Sequence, residues 1–120
     1  MVSYNQMVVD ELRDADVDRL FQALADATRR DIVREVLRGE RSVSELARRY
    51  PMSLTAVQKH VSVLEAAGLV RKRRNGREQR VSCCTEAIER AQRVLADYER
   101  LWRDRFDRMS TILDGEGADT

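Results

Sequence analysis

The stretch from Ser53 to Cys83 leaves the chain few folds to adopt. Leu54, Val57, Val61 and Leu64 recur at three- and four-residue spacing, which predicts an amphipathic helix over Leu54–Ala67 with one face buried. Ser53 stands at its N-cap, and Gly68 follows in the position where a positive φ ends a helix. Directly behind come two short runs, Leu69–Arg74 and Arg77–Cys83, flanking Asn75-Gly76. That dipeptide is the strongest short signal for a two-residue hairpin turn. A helix and a hairpin joined this tightly must share one small core with whatever precedes them.

What precedes them is helical. Tyr50-Pro51-Met52 breaks a short predicted helix, Val43–Arg49, which the capping box Ser42-Val43-Ser44-Glu45 opens and Leu46 anchors. Upstream, Asp26 caps a helix running to Arg38, with Ile32, Val33, Val36 and Leu37 inward and Gly39 as terminator. Val17, Leu20, Phe21 and Leu24 predict another helix over Asp16–Leu24, and Tyr4–Leu12 reads as a short helix or a frayed arm. At the far end Thr85 caps a long helix predicted to stop near Leu113, before Asp114-Gly115. Its apolar positions, among them Leu95, Tyr98, Leu101, Trp102, Phe106 and Met109, form a stripe of period near 3.5. A helix of that length spans roughly 42 Å, more than one small domain covers. It is expected to lie against a second protomer.

Two helices joined by a tight turn, the second amphipathic, make a helix-turn-helix, and the hairpin behind makes it winged. The expected fold is therefore mainly α with a small β-hairpin wing, in the order α-α-α-α-β-β-α. Residues 1–15 read as an acidic arm or short helix. Residues 16–113 read as the winged domain, with 85–113 as its dimerisation helix, and 114–120 as an acidic disordered tail. A chain of 120 residues fits one domain. With aromatics at only 5%, its core must be mostly aliphatic.

The net charge of +1 conceals an uneven distribution. Residues 1–20 carry five acids and two arginines, residues 110–120 carry three acids and no base, and the centre is left at +7. Within the centre, Thr55–Arg80 carries Lys59, Arg71, Lys72, Arg73, Arg74, Arg77 and Arg80 against only Glu65 and Glu78. On the predicted helix, Thr55, Lys59, Ser62 and Ala66 fall opposite the apolar stripe, with Gln58 on the flank. These side chains match base edges in a major groove: Gln pairs with adenine, Lys with guanine, and a Thr methyl touches thymine. An ordinary polar helix surface explains the same residues equally well. The wing decides between them, because five cations among seven residues would repel one another without phosphate nearby. Arg73, Arg74 and Arg77 are the expected backbone or minor-groove contacts.

His60 sits about 70° from the apolar centre of its helix, at the border of core and groove. As the only histidine, with no Cys, Asp or Glu at i±3 or i±4, it suits a packed residue or phosphate contact better than a metal ligand. Cys83 and Cys84 are adjacent, which excludes a disulfide scaffold and suits a reducing cytoplasm. Packing explains both, while a thiol switch at the wing base, with Arg80 lowering a thiol pKa, is the sharper alternative. No catalytic constellation, phosphate-cradling glycine loop or run of about 20 apolar residues is present, so neither an enzyme, a cofactor nor a membrane partner is expected.

The segments LADATRRDIVREVLRGERSVSELARRY, PMSLTAVQKHVSVLEAAGLV and RKRRNGRE, followed by a helix containing YERLWRDRFDRM, resemble the ArsR-type winged-helix transcriptional regulators. The resemblance covers about Asp16 to Met109. It implies a homodimer paired through terminal helices, a recognition helix at Ser53–Ala67, and binding to a pseudo-palindromic double-stranded DNA operator, usually to repress. It also implies a subgroup without metal sensing, since Ser42-Val43-Ser44 stands where a Cys-Val-Cys sensor segment would align. Ser53, Thr55, Gln58, Lys59, His60 and Ser62 are then the expected DNA contacts on the helix. The competing expectation is a protein-interaction adaptor that uses the winged surface or the long helix.

Overall fold

A computed structural model describes residues 15–118, with side chains as far as Leu113. The expected arm at the N-terminus lies outside the described residues up to residue 14. Residues 15–24 form the first helix, α1. Then come α2 (Ala27–Arg38), β1 (Arg41–Ser42), α3 (Val43–Arg48), α4 (Leu54–Ala66), β2 (Val70–Asn75), β3 (Glu78–Cys83) and α5 (Thr85–Ala118).

Local chemistry fixes the helix ends. The Asp26 carboxylate accepts from the Arg29 amide at 2.9 Å, capping α2. Arg29 in turn donates through Nε to the Ala23 carbonyl (2.7 Å) and through Nη2 to that of Gln22 (2.9 Å). Arg30 donates to the Leu24 carbonyl at 2.7 Å. The first turn of α2 therefore satisfies the last carbonyls of α1, which would otherwise lack partners. The Ser42 hydroxyl accepts from the Glu45 amide at 3.0 Å, as the capping box requires.

The core is aliphatic. Leu20, Ile32, Leu46, Val57, Val61, Leu64, Leu69 and Val81 are fully buried, and Ala87 and Ala91 seat the start of α5 on the same cluster. No helix among the described residues is long and apolar enough to cross a membrane.

Element boundaries otherwise follow the sequence to within a residue, but four features differ. First, β1 was not expected. It pairs antiparallel with β3 (Arg41 opposite Val81, Ser42 opposite Arg80), so the wing belongs to a three-stranded sheet in the order β1-β3-β2. Two polar residues carry no periodicity that would announce a strand. Second, Asn75 pairs with Glu78, which puts Gly76-Arg77 rather than Asn75-Gly76 at the centre of the turn. Of the two central residues only Gly76 has a positive φ (+65°), the pattern of a turn with glycine at its first central position. Third, Leu37 and Leu54 are 52% and 47% exposed rather than inward. Both lie in terminal turns, where a helix outruns the elements packed on it and keeps the periodicity without the burial. Fourth, α5 runs through Ala118 instead of ending at Leu113, so most of the expected disordered tail is helical. Glycine costs a helix only about 1 kcal/mol relative to alanine and does not block it as proline does.

Candidate nucleic-acid interface

The helix-turn-helix is α3 and α4, and the turn between them is held to α2 by a polar clamp. Arg49 Nε and the Tyr50 hydroxyl both donate to Oδ2 of Asp31, at 2.7 and 2.6 Å. These two donors hold the Asp31 carboxyl down at about 2, while the same pairing raises the Arg49 guanidinium. Burial, together with Asp31, pushes the Tyr50 hydroxyl up. Arg49 also reaches the nearly buried Glu35 at 3.3 Å. With the turn fixed, Ser53 accepts from the Ala56 amide at 3.1 Å and starts α4.

Burial of Val57, Val61 and Leu64 turns Thr55, Gln58, Lys59 and Ser62 to the exposed side of α4. His60 is half-buried, with Nδ1 3.9 Å from Oδ2 of Asp26, the α2 cap. The Asp26 carboxyl lies below its ordinary value, chiefly through the Arg29 amide, opposed by burial and assisted by His60 and Arg29. His60 thus faces a carboxylate of its own chain.

The cations of the wing divide into two groups that the sequence does not distinguish. Lys72 is tied to α4: its Nζ lies 3.5 Å from Oε1 of Glu65 and donates to the Ser62 hydroxyl at 3.3 Å. Arg80 is surrounded by Glu40, Glu45 and Glu78 at 3.0, 3.3 and 3.4 Å, and its charged form is strengthened above all by the bond to Glu40. Arg73 shares Glu40 at 3.5 Å. By contrast, Arg71, Arg74 and Arg77 are exposed and have no ion pair or side-chain hydrogen bond among the described residues. Of the three arginines expected as contacts, Arg74 and Arg77 are free and Arg73 is partly neutralised. Arg71 takes its place in the free set. The tie of Arg80 to Glu40 crosses 40 residues, a separation at which no local spacing rule applies.

Cys83 packs against the core, where burial and then the neighbouring Cys84 push its thiol up. Arg80, expected to lower it, is spent on three carboxylates. Cys84 is half-buried beside Arg71, Ser82 and Glu86. Among the described residues there is no group of three or more His, Cys, Asp or Glu side chains placed to hold a metal ion.

Along α5, Leu95, Tyr98, Leu101, Trp102, Phe106 and Met109 are each 55–65% exposed, a continuous apolar stripe left open among the described residues.

Comparison with known proteins agrees with this geometry. A helix-turn-helix domain model matches residues 24–73. The chain is 37% identical over 103 residues to the HTH-type transcriptional regulator Rv2034 of Mycobacterium tuberculosis, covering 86% of this chain and 94% of that one. Among solved structures, it resembles an ArsR-like transcriptional regulator from Rhodococcus sp. RHA1, with TM-score 0.70, 35% identity, and coverage of 82% and 92%. It also resembles the homodimeric winged helix-turn-helix DNA-binding domain Mb0332 of Mycobacterium bovis, a possible ArsR-family regulator, with TM-score 0.60, 28% identity, and coverage of 84% and 91%. An exposed polar helix beside a cationic wing, on a fold shared with these regulators, identifies the chain as a member of the ArsR family of winged helix-turn-helix transcriptional regulators, DNA-binding proteins rather than enzymes.

Proposed function

We propose that the protein is a dimeric repressor that reads an operator with α4 and grips the flanking backbone with its wing. The observation that carries this reading is the exposed polar face of α4 together with a wing whose Arg71, Arg74 and Arg77 are exposed and have no ion pair among the described residues. In this reading Thr55, Gln58 and Lys59 meet base edges, and Ser53 and His60 lie near phosphates at the border of the groove. Ser62 supports the helix through Lys72, and Arg73 joins the free arginines once DNA competes for Glu40. Phosphate contacts position the protein, and base contacts select the site.

The apolar stripe of α5 supports dimerisation, as does the homodimeric state of the Mycobacterium bovis domain. A two-fold dimer presents its recognition helices symmetrically, so the operator is expected to be pseudo-palindromic, with half-sites about one helical turn apart or a multiple of it. Repression follows if such a site overlaps a promoter. Ser42 and Ser44, hydroxyls at the first turn of α3 with Ser42 accepting from the Glu45 amide, support a repressor that does not sense metal there. Gel-shift titration of the DNA upstream of the chain's own gene tests the reading. A saturable complex of two protomers per duplex, resistant to excess random DNA, is expected. Binding with no preference for that region, or for any duplex selected from a random pool, would overturn it.

A further inference from the structure

β2 lies at an edge of the sheet, where amides that point away from β3 have no strand to bond to. At Lys72 that vacancy is filled from the recognition helix. The Lys72 amide donates to Oε2 of Glu65 at 3.0 Å, while its ammonium approaches Oε1 of the same carboxylate at 3.5 Å. The ammonium also donates to the Ser62 hydroxyl, one turn earlier on α4, at 3.3 Å. One glutamate thus grips both the backbone and the side chain of a single wing residue. The Lys72 side chain is only 22% exposed and is not available as a phosphate contact like its neighbours.

We infer that Glu65 is a positioning residue for DNA recognition: it locks the angle between α4 and the wing, so that the free arginines reach the backbone only when the helix is seated in register. This rests on the proposed reading of α4 and the wing as the DNA-binding surface. Elementary electrostatics gives Glu65 the opposite role. A carboxylate near DNA repels phosphate, so removing it should tighten binding to every sequence alike. A lock instead sets the ratio between chosen and random sequence, because a wing at the wrong angle still finds phosphates but no longer helps the helix choose.

The glutamate is exposed enough for substitution without loss of folding (41% for its side chain). Two variants separate the roles, since both remove the same charge. Glu65→Ala removes the acceptor as well, whereas Glu65→Gln keeps an oxygen for the Lys72 amide. The probes are the tightest duplex selected by the unaltered protein from a randomised pool and a random-sequence duplex of equal length. Glu65→Ala is expected to lower the ratio of the two affinities about tenfold, the effect of one strong hydrogen bond, and Glu65→Gln to recover most of it. An unchanged ratio in Glu65→Ala, or an equal fall in both variants, would overturn the lock. If the unaltered protein itself shows no preference for any duplex, the underlying reading of the surface fails, and the inference with it.

Discussion

At Asp31 a single carboxylate collects two donors from the turn before the recognition helix, and the consequence is measurable as acid sensitivity. Its value of about 2 lies below the ordinary 3.8. Because the folded value is depressed, the stabilisation is fully present above 3.8 and is lost as pH falls toward 2. Asp31→Asn should cost about 1–2 kcal/mol at neutral pH, discounted because both partners stay near solvent. The gap between variant and parent in urea unfolding should narrow through that acid window. A gap independent of pH would contradict the clamp. At the interface, Gln58→Ala should relax base preference, while Arg74→Ala should weaken selected and random duplexes equally and make the salt dependence shallower by about one unit per protomer. Loss of sequence preference in Arg74→Ala would show that this arginine reads bases. Residue chemistry was legible in the sequence at three caps, Asp26, Ser42 and Ser53, but not at Thr85, which is the first residue within α5 rather than the cap before it. It was not legible where partners are distant, so Arg73 and Arg80 looked as free as Arg74 until Glu40 was placed beside them.

Among the elements, the hairpin shows most clearly how a correct signal can be displaced. Asn75-Gly76 does mark the turn, but pairing of Asn75 with Glu78 moves its centre by one residue and every cross-strand partner by two. Gly76 then bears the positive φ alone, with nothing within 4 Å of where a Cβ would stand. Gly76→Ala should therefore cost about 1–2 kcal/mol through the backbone only, lowering Tm by about 4–8 °C per kcal/mol for a domain of this size. Asn75→Thr should leave Tm unchanged, because a residue already in the strand has no need of a left-handed conformation. A Tm loss in Asn75→Thr comparable to that in Gly76→Ala would restore Asn75 to the turn. The long helices were legible from their apolar spacing, and β1 was not, since its two residues pair only because β3 arrives beside them. Leu37 and Leu54 kept the helical rhythm but lie where nothing packs on them. Periodicity reports which face turns inward, and tertiary contacts decide how far along the helix that face is covered.

For the whole molecule, the balance of charge and the bare stripe of α5 describe one assembly. The stripe begins where the core ends, so α5 seats one end on its own domain and offers the rest to a second copy. Charge placed in that stripe should separate the protomers. Leu101→Glu combined with Trp102→Glu should sediment as a monomer with an unchanged helical spectrum and bind selected duplexes far more weakly, since each half-site is then held alone. A dimer surviving both substitutions would move the interface elsewhere. The net charge of +1 is likewise no measure of the DNA-binding face. Carboxylates hold Lys72 and Arg80 within the fold and partly neutralise Arg73, while Arg71, Arg74 and Arg77 are exposed without an ion pair among the described residues. These three, joined by Arg73 once DNA competes for Glu40, give a dimer about eight phosphate contacts, which corresponds to a slope near −7 in log affinity against log salt. The most direct test is that titration on a selected duplex between about 50 and 200 mM salt. An affinity falling about 10⁴-fold is expected, whereas a flat titration would contradict a wing and helix built to hold DNA.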